Sequence, residues 1–214
     1  MIVDSKIEID LTKPDPETGQ TQDYVVAPEI IYCSDSLIIS TPANTIEAIW
    51  LCEAAAKIQN GLCTKGFLLR GAIATGLLYH SGNTIFGPAI VNAVEIEKYI
   101  NHPVIGVSQE TLDCFFDVKS AEDKEIVQIR ANQLISNKNC NYSYVDPLGM
   151  LRIHAQRTIM HVINDFQIRY WRTLIERGLK AKSERVVSKY AWMAKHFNNS
   201  LCNCKSNIMP INHS

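Results

Sequence analysis

The chain has 214 residues, 46% of them hydrophobic and 20% charged, with a formal net charge of −1. That is enough to bury one substantial core with an appendage, and it leaves no basic field for nucleic acid or an anionic membrane surface. No apolar run approaches the ~18 residues that span a bilayer, and Met1-Ile2-Val3-Asp4 lacks the basic start and long apolar stretch of a signal peptide, so a cytoplasmic protein is expected.

Seven cysteines at irregular spacing, without a C-x-x-C pair, read as reduced packing thiols. Cys202 and Cys204, with His196 and His213 nearby, offer a soft-metal alternative to a frayed polar tail.

Residues 1–24 hold a short apolar start and then Lys13-Pro14-Asp15-Pro16-Glu17-Thr18-Gly19-Gln20, whose prolines and glycine exclude a helix interior and make a surface loop. A strand resumes near Val25 and, after Pro28, enters Ile30-Ile31-Tyr32-Cys33-Ser34-Asp35-Ser36-Leu37-Ile38-Ile39. Two β-prone apolar runs flank three turn-forming residues there, which predicts a hairpin with the Asp35 carboxylate at its tip. Such a carboxylate suits a divalent cation, and it equally suits a solvated turn. Asn44 with Glu47 forms a capping box for a helix whose inward face is Ile46, Trp50, Ala54, Ile58 and Leu62. Phe67 to Gly76 reads as a buried central strand. Arg70 within it requires an acidic partner or a phosphate, because an unpaired buried guanidinium is costly.

Leu77 to Phe86 is a second strand bent at Ser81-Gly82-Asn83. Gly87-Pro88 opens a helix toward Tyr99, proline being favoured at the first helical position. His102-Pro103 ends that helix, and Val104–Val107 is a short strand. Lys119 to Glu125 is a solvated loop or helix face, and Asn141 to Pro147 a strand and turn. From Leu148 the pattern turns helical, with Ile159, Ile163, Phe166, Tyr170 and Leu174 inward, and Gly178 marks a break. A last helix from about Ser183 to Phe197 turns Val186, Val187, Tyr190, Met193 and Phe197 inward. The alternation of strands and helices predicts an α+β fold, one antiparallel or mixed sheet with helices on one face.

Ser34-Asp35-Ser36, Arg70-Gly71-Ala72-Ile73 and Phe86-Gly87-Pro88-Ala89 followed by Glu95-Ile96-Glu97 resemble, in order and spacing, the class III nucleotidyl cyclase domain. The nearest likeness is to the Pycsar pyrimidine cyclases of bacterial antiphage defence, and Tyr144-Val145-Asp146 and the segment from Lys189 to Asn198 look like that family's late strand and terminal helix. The resemblance implies a ferredoxin-like α+β domain over residues 1–146, a helical appendage over 147–200 and a polar tail over 201–214. It implies a homodimer that cyclises UTP or CTP to the 3′,5′-cyclic monophosphate with release of pyrophosphate, using Mn²⁺ or Mg²⁺, whose product reaches a cyclic-nucleotide-sensing effector. Neither nucleic acid nor membrane is an expected partner.

In that scheme Asp35 is the metal ligand and Arg70 compensates charge, or else pairs with a structural acid such as Glu95 or Glu97. Ser34, Ser36, Gly71, Phe86 and Asn92 are the remaining nucleotide-binding candidates. The family carries a further metal Asp on a strand well upstream, and only about thirty residues precede Asp35. That first strand is therefore expected to be missing or altered. Either the gene product starts upstream, the favoured expectation, or Ile2–Leu11 folds into the vacant place, since an unpaired sheet edge is an aggregation hazard. The second class of function to weigh is a non-catalytic cyclase-homology module that binds nucleotide or pairs with an active partner.

Overall fold

The computed structural model describes residues 2–5, 28–33, 36–118, 121–137, 140–149, 161–201 and 210–212. The strands are β1 (Ile2–Ser5), β2 (Glu29–Cys33), β3 (Ser36–Ser40), β4 (Gly71–Leu77), β5 (Tyr79–Ser81), β6 (Thr84–Phe86), β7 (Ile105–Val107), β8 (Ile135–Ser136) and β9 (Tyr144–Val145). The helices are α1 (Thr45–Cys63), α2 (Pro88–Tyr99), α3 (Gln109–Phe116), α4 (Ala121–Leu134), α5 (His161–Gly178) and α6 (Glu184–Leu201).

The main sheet runs in the order β1-β4-β7-β9-β8. β4 is parallel to both β1 and β7, whereas β9 runs antiparallel to β7 and β8, so the sheet is mixed. β2 and β3 form the expected hairpin, Ile31 opposite Ile38 and Cys33 opposite Ser36. β5 and β6 form a second hairpin around Gly82, whose φ is 57°. The predicted single strand from Leu77 to Phe86 is thus folded on itself at the bend the sequence marks.

Successive side chains of a strand point to opposite faces, and β4 shows both faces covered. Ile73 packs with Leu51, Ala55, Val107, Phe115 and Leu134, which come from α1, β7, α3 and α4. Ala72 and Ala74, one residue to either side, pack instead with Ala89 and Ala93 of α2. The expectation of helices on one face is therefore corrected: α1, α3 and α4 lie on one side and α2 on the other. This explains why the sequence of β4 is a continuous apolar run rather than an alternating one. The small residues let α2 approach closely. A Cβ on Gly76 would lie 3.3 Å from that of Ala89.

The edge beside β4 is occupied by Ile2–Ser5, with Asp4 opposite Gly76, and β1 also lies alongside β3. There Ile2–Ser5 runs parallel to β4. The Lys13 to Gln20 loop, the strand near Val25, Ile159 and the cysteines of the tail lie outside the described residues.

Asn44 caps α1 as expected, its Oδ1 accepting from the Glu47 N–H at 3.0 Å. The inward face of that helix is not the predicted one. Ala48, Leu51, Cys52, Ala55 and Ala56 are fully buried, whereas Ile46 is 77% and Trp50 40% exposed. Both stripes are apolar, and the stripe of small residues wins because it allows the helix to sit down on the sheet. The charged stretch after Lys119 opens α4, which buries Val127, Ala131 and Leu134 at spacings of four and three.

α5 and α6 pack on each other and α5 packs on α1. Trp171, Ile175, Met193 and Phe197 join Cys63 of α1 in one buried cluster. Met193 and Phe197 are inward as predicted, but Val186 is exposed, and on α5 the buried stripe is Ile168, Trp171, Leu174 and Ile175 while Phe166 is exposed. The indole N–H of Trp171 donates to Asn60 Oδ1 at 2.7 Å, and Asn60 Nδ2 donates to the Pro147 carbonyl at 2.9 Å, so a buried amide fastens the helical pair to α1. Among the described residues no helix is long and apolar enough to cross a membrane.

Candidate functional site

The β2–β3 hairpin, the start of β4 and one face of α2 line a cavity of about 570 Å³. Ser36 and Ile38 come from the hairpin, Leu62 from α1, Arg70 and Gly71 from the entry to β4, and Val94 and Glu97 from α2. Its position follows from local rules. Gly87 stands at φ 142° and leads into Pro88, which starts α2, the helix that packs on β4. Residues 90, 93, 94 and 97 then fall on the helical stripe facing the hairpin.

Of the residues singled out from the sequence, the fold brings Ser36, Arg70 and Gly71 to this one cavity. Ser34 and Asp35 lie between β2 and β3, outside the described residues. Phe86 stands elsewhere, 60% exposed and stacked on Tyr79 with ring centroids 4.8 Å apart. Asn92 is half-buried on α2, off the stripe that lines the cavity.

Arg70 has found an acid. Its Nε and Nη2 donate to Glu97 Oε1 at 3.3 and 3.2 Å, and Glu97 rather than Glu95 is the partner. Both side chains are about 40% exposed, so the pair is solvated and its guanidinium is not committed to the core.

Arg70 also reaches a second cavity of about 270 Å³, lined by Asn101, His102, Arg185, Ser188 and Lys189. Burial and then the nearby Lys189 ammonium push the His102 imidazolium toward its neutral form. The ring lies flat on Trp192, centroids 4.3 Å apart. The sequence reading did not find this cavity. Its only signal is Arg185 and Lys189 four residues apart on one face of a helix, a pattern that also describes any solvated surface.

Among the described residues no group of three or more His, Cys, Asp or Glu side chains is placed to hold a metal ion. His196, considered with the C-terminal cysteines, is buried and bonded to Asp146 instead. Comparison with protein-family models, with curated proteins and with solved structures finds no match to this chain.

Proposed function

We propose that this chain is a pyrimidine nucleotide cyclase, forming 3′,5′-cyclic UMP or CMP from UTP or CTP with release of pyrophosphate, as an antiphage second messenger read by a cyclic-nucleotide-sensing effector. The observation that carries the reading is the meeting of Ser36, Arg70 and Gly71 at one cavity. These residues come from two separate motifs of the cyclase resemblance, and a cavity of about 570 Å³ lies within the ~300–1,000 Å³ range of small-molecule sites. The apolar side chains from the hairpin and α2 would take the base and ribose. Arg70 would offset phosphate charge. In the reaction the ribose 3′ oxygen bonds to the α-phosphorus, the α–β bridging bond breaks, pyrophosphate leaves, and the 3′ proton passes to solvent.

Asp35 is the residue proposed to hold Mg²⁺ or Mn²⁺, which when bound would acidify the 3′ hydroxyl and neutralise the leaving group. A ferredoxin-like relationship and a homodimer belong to the same proposal. Tyr32 on the hairpin, 81% exposed, and Phe67, 63% exposed before β4, are apolar groups a second copy would cover. A strictly monomeric species by light scattering at micromolar concentration would count against that assembly.

The test is incubation of the protein with each nucleoside triphosphate and Mn²⁺, followed by chromatography for cyclic product. Cyclic UMP or CMP is the expected outcome, abolished by Asp35→Ala in a folded protein. A second reading, nucleotide binding without turnover, draws on the Arg70–Glu97 pair, which already engages the guanidinium. It predicts saturable binding of UTP or CTP with no cyclic product.

A further inference from the structure

We infer that the smaller cavity, between the turn after α2 and the first turns of α6, is a binding site for a di- or triphosphate anion. The inference goes beyond the cyclase reading and stands without it. Three cationic side chains, Arg70, Arg185 and Lys189, line a volume of about 270 Å³, and no carboxylate is among its lining residues. That is an unusual concentration in a chain whose net charge is −1.

Cations that line one small cavity favour an anion between them. Among the described residues Arg130 and Lys57 both reach Glu53, and Arg172 reaches Glu176. Among the described residues Arg185 and Lys189 have no carboxylate within ion-pair distance. Arg70 directs Nε and Nη2 at Glu97 and keeps Nη1 for a further acceptor.

The geometry suits phosphate in three further respects. Arg185 is the second residue of α6, so the positive end of the helix dipole adds to the side-chain charge. The guanidinium groups of Arg70 and Arg185 come from different elements and can grip separate phosphoryl groups in bidentate fashion. Asn101 adds a neutral donor, and His102, held against Trp192, forms a flat wall. Arg70 is common to both cavities, so a nucleoside triphosphate can lie with base and ribose under the hairpin and its phosphates toward α6.

The experiment is titration of the full chain with tripolyphosphate, and in parallel with UTP, by isothermal calorimetry at low and moderate salt. Tripolyphosphate is expected to bind, more weakly as salt rises. Arg185→Gln and Lys189→Gln should each weaken it several-fold, and the double variant at least about tenfold, the loss expected for charge-assisted hydrogen bonds. Both positions lack a described ion-pair partner, so circular dichroism and the thermal midpoint should be unchanged. A steeper loss for UTP than for tripolyphosphate assigns the site to a nucleotide's phosphates; equal losses assign it to free polyphosphate. Tripolyphosphate bound equally by wild type and double variant, or not bound by wild type at low salt, overturns the inference. Absence of cyclic product in the cyclase assay does not touch it.

Discussion

His196 Nε2 lies 3.0 Å from Asp146 Oδ1, and both side chains are buried to within a few per cent. On its other side the ring presents Nδ1 to the Tyr144 hydroxyl at 3.2 Å. Asp146 also accepts from the Leu148 N–H at 3.0 Å. The relay joins β9, the segment that follows it and α6.

His196→Ala should therefore be severe, because it takes one hydrogen-bond partner from a buried carboxylate and one from a buried phenol at once. A loss of about 3 kcal/mol is expected in urea unfolding. Tyr144→Phe removes the hydroxyl that meets His196 and should cost about 1 kcal/mol. A His196→Ala protein within 1 kcal/mol of wild type would show that water reaches the site and replaces the imidazole.

Asn60 provides a second, independent fastening. Asn60→Ala leaves the Trp171 indole N–H and the Pro147 carbonyl without the partners they have at 2.7 and 2.9 Å. The expected cost is about 2–4 kcal/mol. Tryptophan fluorescence checks it once Trp50 and Trp192 are replaced by Phe in both proteins, since a folded variant whose remaining Trp171 emission is red-shifted would place the damage at the α1–α5 contact.

Gly87→Ala tests the entry to α2. The residue has φ 142°, and a Cβ there would stand 2.6 Å from the Leu77 carbonyl oxygen, which is backbone and cannot swing aside. A cost of at least about 2 kcal/mol is expected from strain and clash together. Because α2 carries Val94 and Glu97 to the larger cavity, UTP binding should weaken in parallel.

How much of this was legible in the sequence depends on whether a residue's role is local. The Asn44 cap, the Gly82 bend, the Gly87-Pro88 helix start and the β2–β3 hairpin all arise from backbone chemistry within a few residues, and all are where the sequence puts them. The inward face of α1 was not legible, because Ile46 and Trp50 outweigh Ala48 and Ala55 in hydrophobicity while only the latter stripe is small enough for the sheet. For α4 the charged stretch left loop and helix face both open, and the structure shows the helix. The link from Arg70 to Glu97 was foreseen as a need for an acid, but Arg185 is 115 positions from Arg70, and nothing local announces that they share a cavity.

The thiols predict a pH response. Burial pushes Cys63 up to about 12 and raises Cys52 further still, with Cys114 and Cys140 also raised. In the unfolded chain a thiol loses its proton near ~8.5. The folded state holds these protons to higher pH, so the contribution is fully present below the unfolded value and is lost as pH rises through the folded ones. Stability should fall progressively from about pH 8.5 toward 12. Since only the thiolate is nucleophilic, iodoacetamide at pH 8 should leave Cys52 and Cys63 unmodified in the folded protein and label them after denaturation, as read by peptide mass. Rapid labelling of Cys52 without unfolding would contradict its burial.

The Arg70–Glu97 pair makes the sharpest prediction, because it separates a structural role from a functional one. With both side chains about 40% exposed, the ion pair is screened, and Glu97→Gln should change stability by less than about 1 kcal/mol. Its effect on anions should be larger. The carboxylate at 3.2 Å draws Nε and Nη2 away from an incoming phosphate and opposes it electrostatically. Glutamine keeps an acceptor for one of those bonds and removes the charge. Tripolyphosphate should therefore bind Glu97→Gln several-fold more tightly than wild type, with a steeper dependence on salt, in the same calorimetric titration. If the affinity falls instead, the carboxylate is needed to aim the guanidinium, and Glu97 is a positioning residue for Arg70 rather than its competitor.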